Sequence, residues 1–340
     1  MSNSHSVLAK IGKRFVNSAF VLLVLTVVVF AAMRAIPGDP VETIVGVEAV
    51  SEETLAALRK EMGLDQSYVV QYFTWLGNLL QGDMGQSLQN HEPVLPILLD
   101  RLKATAELAF LGVLIGAVVG VAAGTIAGMT RGSFFDTLVM FVTLSGISIP
   151  VFWFGTILIV VFSVYFDIFP TGGMISYEVS LTHVTGFKLL DSLLTLNGAA
   201  FLNVLSHIVL PAITLSTAPA ALIARTTRAS VLETINEDYV NAALARGLSF
   251  PAVVMRHVMR NAMIPVVTIL GLEIGVYLGG SIVTETLFSW PGLGRHLMQA
   301  ILAHDYPVVQ GAIIFYAVII VFINLIVDIS YGIIDPRVHA

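Results

Sequence analysis

The chain has 340 residues, 56% of them hydrophobic and only 12% charged, with a formal net charge of −6 and a mean hydropathy of +0.87. A soluble domain of this length carries about 25% charged residues, so the deficit, with repeated apolar runs of about 20 residues, indicates a multi-spanning membrane protein. The sequence contains no cysteine, which excludes disulfides, thiolate metal sites and a cysteine nucleophile; its few basic residues lie at the edges of apolar runs, which argues against nucleic-acid binding.

Six spans are predicted. The first, about 15–34, follows Lys10, Lys13 and Arg14; its apolar run is too long for the core of a secretory signal, so it is expected to be an uncleaved span. A polar, acid-rich segment runs from Ala35 to Lys103. Within it Ser51 is expected to cap a short helix with Leu55, Leu58 and Met62 on one face. The second span, about 104–128, carries Gly112, Gly116, Gly120, Gly124 and Gly128 at every fourth position, which predicts a smooth seam for close packing of another helix. Glu107 and Asp136 stand at span ends and are expected among the headgroups. The third span, about 136–165, contains Pro150, expected to kink it; Phe152, Trp153 and Phe154 behind the proline are candidates to line a pore.

The loop after span three holds the leucine-rich stretch 189–196, which predicts a short interfacial helix. The fourth span is placed at about 204–227, with His207 at the interface. The fifth, about 264–285, carries Glu273 near its middle; an ionisable group inside a span is costly and marks a site candidate, either lining a pore or bonding another helix. In the sixth span, about 309–332, Asn324 and Asp328 share one face and are expected to serve packing between helices.

Residues 237–265, between spans four and five, carry Arg246, Arg256, His257 and Arg260. Basic loops stay in the cytoplasm. Arg131, Arg225, Arg228, Arg337 and the basic N-terminal tail fall on the same side of a six-span chain, so both termini are expected to be cytoplasmic. Ala242, Ala243, Gly247 and Pro265 predict a helix, a glycine break and a second helix. This is expected to be a docking element: Tyr239, Val240, Ala243 and Leu244 offer an apolar face to a partner's groove, and Ala242 and Ala243 permit close approach. Gly247 supplies the positive φ that ends the helix, and Arg246 meets the partner or the headgroups.

That loop resembles the EAA loop of bacterial ABC importer permeases. The likeness extends to the dipeptide/oligopeptide/nickel subfamily through Pro37-Gly38-Asp39-Pro40, Gly82-Asp83-Met84-Gly85-Gln86-Ser87, Thr105-Ala106-Glu107-Leu108, Pro150-Val151-Phe152-Trp153, Phe169-Pro170-Thr171-Gly172-Gly173, Asn261-Ala262-Met263-Ile264-Pro265, Trp290-Pro291-Gly292-Leu293-Gly294, Asp305-Tyr306-Pro307 and Asp335-Pro336-Arg337. The chain departs from the pattern at Asn241, where the family's glutamate would stand, and residues 174–203 look like an insertion. The resemblance implies an all-α membrane protein with six transmembrane helices and a type I importer architecture. It divides the chain into 1–34 (tail and first span), 35–103 (periplasmic segment) and 104–335 (permease core, coupling loop 229–263).

The resemblance further implies a permease subunit, not an enzyme, in the bacterial inner membrane. With a second permease it would form a path for di- or oligopeptides delivered by a periplasmic binding protein and driven by two cytoplasmic ATPase subunits. The sequence has no GxxxxGK[ST] phosphate loop, so ATP and Mg are assigned to those subunits, with no cofactor, metal or catalytic residue on this chain. Glu237, Asp238, Tyr239, Ala242, Ala243, Arg246 and Gly247 are the expected coupling residues; Phe152, Trp153 and Glu273 are the candidate translocation path. Relatives with the same motifs carry nickel chelates or glutathione as well as peptides. Two other readings compete: an ATP-independent secondary transporter, and an intramembrane serine protease built on Gly146-Ile147-Ser148-Ile149 with His207 as base.

Overall fold

The computed structural model describes residues 2–35, 52–61 and 63–334. The motifs 37–40 and 335–337, the capping residue Ser51 and Met62 lie outside the described residues, as do the side chains of Lys10, Lys13, Arg14, Leu58 and Asp328. An apolar chain in lipid must satisfy its backbone groups internally, and helices do so within one segment. Accordingly the described residues are mostly helical and include no strand, only an isolated bridge between Gln86 and Pro93.

In chain order the helices are α1 (Ser2–Ala35), α2 (Glu52–Glu61), α3 (Tyr68–Leu80), α4 (Val94–Met129), α5 (Phe134–Ser148), α6 (Val151–Tyr165), α7 (Lys188–Leu194), α8 (Gly198–Thr234), α9 (Asp238–Ala245), α10 (Phe250–Leu278), α11 (Ile282–Leu287), α12 (Leu293–Leu302) and α13 (Tyr306–Ile334). Five of them are long and apolar enough to cross a membrane: the 15–35 portion of α1, α4, α8, α10 and the 306–326 portion of α13. The bent pair α5–α6 makes a sixth if taken as one span.

Several boundaries differ from the sequence-based expectation. Helix α4 begins at Val94, ten residues before the expected span, because residues 94–103 already bury Val94 and Leu98. Helix α10 begins at Phe250 rather than 264 and ends at Leu278, so the second half of the expected loop is helix. Pro150 does more than kink its span: α5 and α6 meet at 104°. With φ −58° and ψ 130°, Pro150 caps α6 from an extended conformation, and a proline has no N–H to continue the preceding ladder. The last turns of α6 and residues 254–258 of α10 are π-helical.

The chain divides into two compact units. One comprises residues 1–102 and 293–325, the other 103–292 and 326–340. The core of the first gathers Val94, Leu98, Leu293, Leu297, Val308 and Phe315. In this unit two motifs far apart in sequence meet: Ser87 Oγ donates to Asp305 Oδ2 at 2.5 Å and Leu88 N–H to Asp305 Oδ1 at 3.1 Å.

The second unit is organised on α8, and the expected glycine seam is where α4 lies against it. A Cβ on Gly112 would fall 2.8 Å from Leu215, one on Gly116 2.8 Å from Pro219, and one on Gly120 2.7 Å from the Ala220 carbonyl. Gly124 faces the Ala224 carbonyl and Thr227, and Gly128 faces Val231. The expected short helix is also present as α7; it leaves Leu190, Leu193 and Leu194 exposed while its other face is held inside the fold. Asp191 is fully buried and accepts from the backbone N–H groups of Val184, Thr185 and Gly186 and from the Thr185 hydroxyl. Burial alone would raise its pKa; those hydrogen bonds outweigh it and hold the carboxyl down at about 2.

Candidate functional site

The loop between α8 and α10 is built from short-range rules. Glu237 stands at the N-cap position of α9 with an extended backbone. At the other end Gly247 has φ +84°. Its N–H bonds the Leu244 carbonyl at 2.9 Å while the Leu248 N–H reaches Ala243 at 3.4 Å. This bond pair closes a helix through one left-handed residue. Ser249 then caps α10, with Pro251 in its first turn, where a missing N–H costs nothing.

An eight-residue helix is too short to persist unaided. Helix α9 therefore buries Val240 and Ala243 in a cluster with Val231 of α8 and Val253, Val258 and Ala262 of α10. Asn261 Nδ2 donates to the Tyr239 hydroxyl at 2.7 Å. The helix is thus tied to both neighbours, and a push on it reaches both. This corrects one expectation: Val240 and Ala243 do not face a partner, because the chain itself covers them. The surface of α9 left open carries Asp238, Asn241, Ala242, Leu244, Ala245 and Arg246, small and polar for the most part, with Tyr239 at its edge.

Two further polar groups are placed differently from expectation. Asp136 is buried, not among headgroups: Arg228 of α8 grips it with two bonds, Nε at 2.7 Å and Nη2 at 2.8 Å. The Gly132 N–H adds a third at 3.0 Å, and Ser133 caps α5. Glu107 is buried too, with Oε1 accepting from the Leu189 N–H at 2.8 Å, so it anchors α7 to α4. For Asp136 these bonds offset the cost of burial, whereas Glu107 keeps its Oε2 buried with no hydrogen-bond partner among the described residues.

Of the expected path residues, Phe152 and Trp153 are more than half exposed and, with Ser148, Ile149 and Pro150, line an open hollow of about 410 Å³ at the α5–α6 bend. Glu273 does not line that hollow. It is half-buried on α10 with Tyr277 one turn on, and among the described residues no hydrogen bond to its carboxylate is found. Asn324 is exposed on α13, against its expected packing role. His207 is buried rather than interfacial, its Nδ1 2.8 Å from the Asn203 carbonyl. Ser148 is exposed at the end of α5, and among the described residues no hydrogen bond joins it to His207, so the geometry of a protease dyad is not formed.

One group escaped sequence reading. Glu285 on α11 is fully buried and accepts from Thr105 Oγ1 at 2.8 Å. A Cβ on Gly292 would collide with its carboxylate. Nearby the buried Trp290 Nε1–H donates to the Ala104 carbonyl at 2.8 Å, and the Gly173 N–H to the Phe288 carbonyl at 2.9 Å. Thr105 and Gly292 thus close on the Glu285 carboxylate, and the 172–173 motif packs on the backbone of Phe288 beside it. The available signal was an acid close to Trp290-Pro291-Gly292, with a glycine where any side chain would strike it.

Two family models match the sequence. Binding-protein-dependent transport system inner membrane component matches residues 120–340, and the N-terminal region of such membrane components matches residues 7–109. The chain is 45% identical over 314 residues to the di/tripeptide transport system permease protein DppB of Pseudomonas aeruginosa, covering 92% of this chain and 94% of that one. It is 41% identical over 318 residues to the dipeptide transport system permease protein DppB of Escherichia coli K12 (93% and 94% covered) and 41% identical over 327 residues to that of Haemophilus influenzae (96% and 98%).

Proposed function

The chain belongs to the family of binding-protein-dependent transport system inner membrane components, and from that premise we propose that it forms, with a second permease subunit, the path by which di- or tripeptides enter a bacterial cell. The di/tripeptide and dipeptide transport systems of its relatives support the peptide substrate. A periplasmic binding protein delivers the peptide, and two cytoplasmic ATPase subunits supply the energy. The family supports this importer over a secondary transporter or an intramembrane protease.

The observation that carries the coupling role is the construction of α9. Its open face of Asp238, Asn241, Ala242, Ala245 and Arg246 suits the groove of a soluble ATPase, and its covered face is locked to α8 and α10. Force applied to α9 is therefore passed to two membrane helices at once, which is what alternating access requires. In this reading the chain crosses the membrane six times, with α5–α6 as one broken span and both termini in the cytoplasm. Phe152 and Trp153 offer apolar contact to peptide side chains, and Glu273 offers a carboxylate to the peptide's ammonium end.

Gentle purification of the tagged chain from its native membrane tests the assembly. A second permease and ATPase subunits are expected to accompany it, with ATPase activity stimulated by the peptide-loaded binding protein. Recovery of a stable chain alone, with no ATPase, would overturn the proposal.

A further inference from the structure

Helix α3 lies in the segment that the sequence places outside the membrane, yet it is the most apolar part of it. Its neighbours on α1 set its depth. Nineteen uncharged residues separate Arg14 from Arg34, about the number that crosses a hydrocarbon core of about 30 Å, so Arg34 marks the membrane edge at that end. Phe30 lies one turn further in. Both Tyr72 and Trp75 of α3 pack on Phe30, with ring centroids 5.5 Å and 5.9 Å away. The Tyr72 hydroxyl lies 3.0 Å from Thr26 Oγ1, and Arg34 Nε donates to Gln71 Oε1 at 3.0 Å. The contacts of α3 on α1 therefore centre on Phe30, about 6 Å of helix rise inside Arg34, within the depth range of interfacial helices.

The other two faces of α3 differ from each other. Val69, Phe73, Leu76 and Leu80 recur at i, i+4, i+7 and i+11, one stripe of a helix. Val69 is 65% exposed, Phe73 64% and Leu80 80%. Thr74 and Asn78, both exposed, form a polar line on roughly the opposite side of the helix from that stripe. Helix α1 itself exposes apolar residues, including Val24, Val27 and Val28, as a membrane span presents to acyl chains.

We propose that α3 is an in-plane membrane helix, its Val69–Phe73–Leu80 stripe seated in the acyl chains of the leaflet at the C-terminal end of α1, its Thr74–Asn78 line in water. The occupant of the stripe is lipid, because the stripe is exposed and apolar at a depth fixed by the contacts of α3 with Phe30 and Thr26 inside a membrane span. Arg34 then anchors both helices at the headgroups. This holds whatever the chain transports.

The chain has no cysteine, so a single nitroxide label can be placed on it, with the partner subunits supplied in cysteine-free form. The complete complex, with Phe73→Cys, Leu80→Cys, Thr74→Cys or Asn78→Cys, is reconstituted in phosphatidylethanolamine–phosphatidylglycerol vesicles. Labels at 73 and 80 are expected to collide several-fold more with dissolved oxygen than with a water-soluble nickel chelate, and labels at 74 and 78 the reverse. Chelate access at 73 and 80 equal to that at 78 would overturn the proposal. So would shielding of 73 and 80 from both reagents, which would mean that protein covers the stripe. If Phe73→Cys fails to assemble, Val69→Cys asks the same question.

Discussion

Asp136 and Arg228 come from different helices, 92 positions apart, and meet through two bonds of 2.7 and 2.8 Å. Asp136→Ala would leave the guanidinium without its acceptor, a loss of about 1–3 kcal/mol, expected as a clearly lower thermal midpoint in detergent. Arg228→Lys should fall between, since an ammonium cannot reproduce the two-pronged grip. An unchanged midpoint for Asp136→Ala would refute a structural role for the pair. Gly247 acts differently. Its φ of +84° is strained for any residue with a Cβ, at about 1–2 kcal/mol, while nothing lies within 4 Å to clash. Gly247→Val should therefore leave insertion and assembly intact yet uncouple ATPase stimulation from uptake; normal coupling in that variant would count against the role of α9. Gly247 was legible in the sequence because its constraint is local. Asp136 was misplaced among headgroups because its partner is not.

At the scale of elements the glycine seam is the clearest case of sequence foretelling contact. The period of four from Gly112 to Gly128 announces a groove, and the structure supplies its occupant, α8. At Gly124 an added methyl would strike backbone, the Ala224 carbonyl, which cannot rotate away. Gly124→Ala is expected to lower the thermal midpoint and yield markedly, whereas Gly77→Ala on α3, with nothing within 4 Å, should change neither. Equal behaviour of the two would remove the seam argument. Helix α9 shows the opposite lesson. Its existence and its stop were readable from the alanines and Gly247, but its orientation was not. The apolar pair Val240 and Ala243 is the same whether it faces a partner or its own chain, and only the cluster with Val231, Val253 and Val258 tells which.

For the whole molecule the proposed path turns on Glu273. A half-buried carboxylate in a span with no hydrogen-bond partner among the described residues is expected to serve transport more than folding. Glu273→Gln should reduce peptide uptake several-fold while the complex still assembles with a normal thermal midpoint. Unchanged uptake kinetics would return Glu273 to a structural role.

Composition and hydropathy alone settled that this is a helical, multi-pass membrane protein, because in lipid the backbone has no other way to satisfy itself. Motif order alone carried the family, since each motif is a local run of residues. The tertiary structure decided what depends on pairs distant along the chain. Glu107 and Asp136 are interior groups whose partners stand 82 and 92 positions away, and Glu285 is buried against Thr105 and Gly292. Burial of a polar side chain is set by the partner that compensates it, and a partner as far as 218 residues away leaves no periodicity for sequence to display.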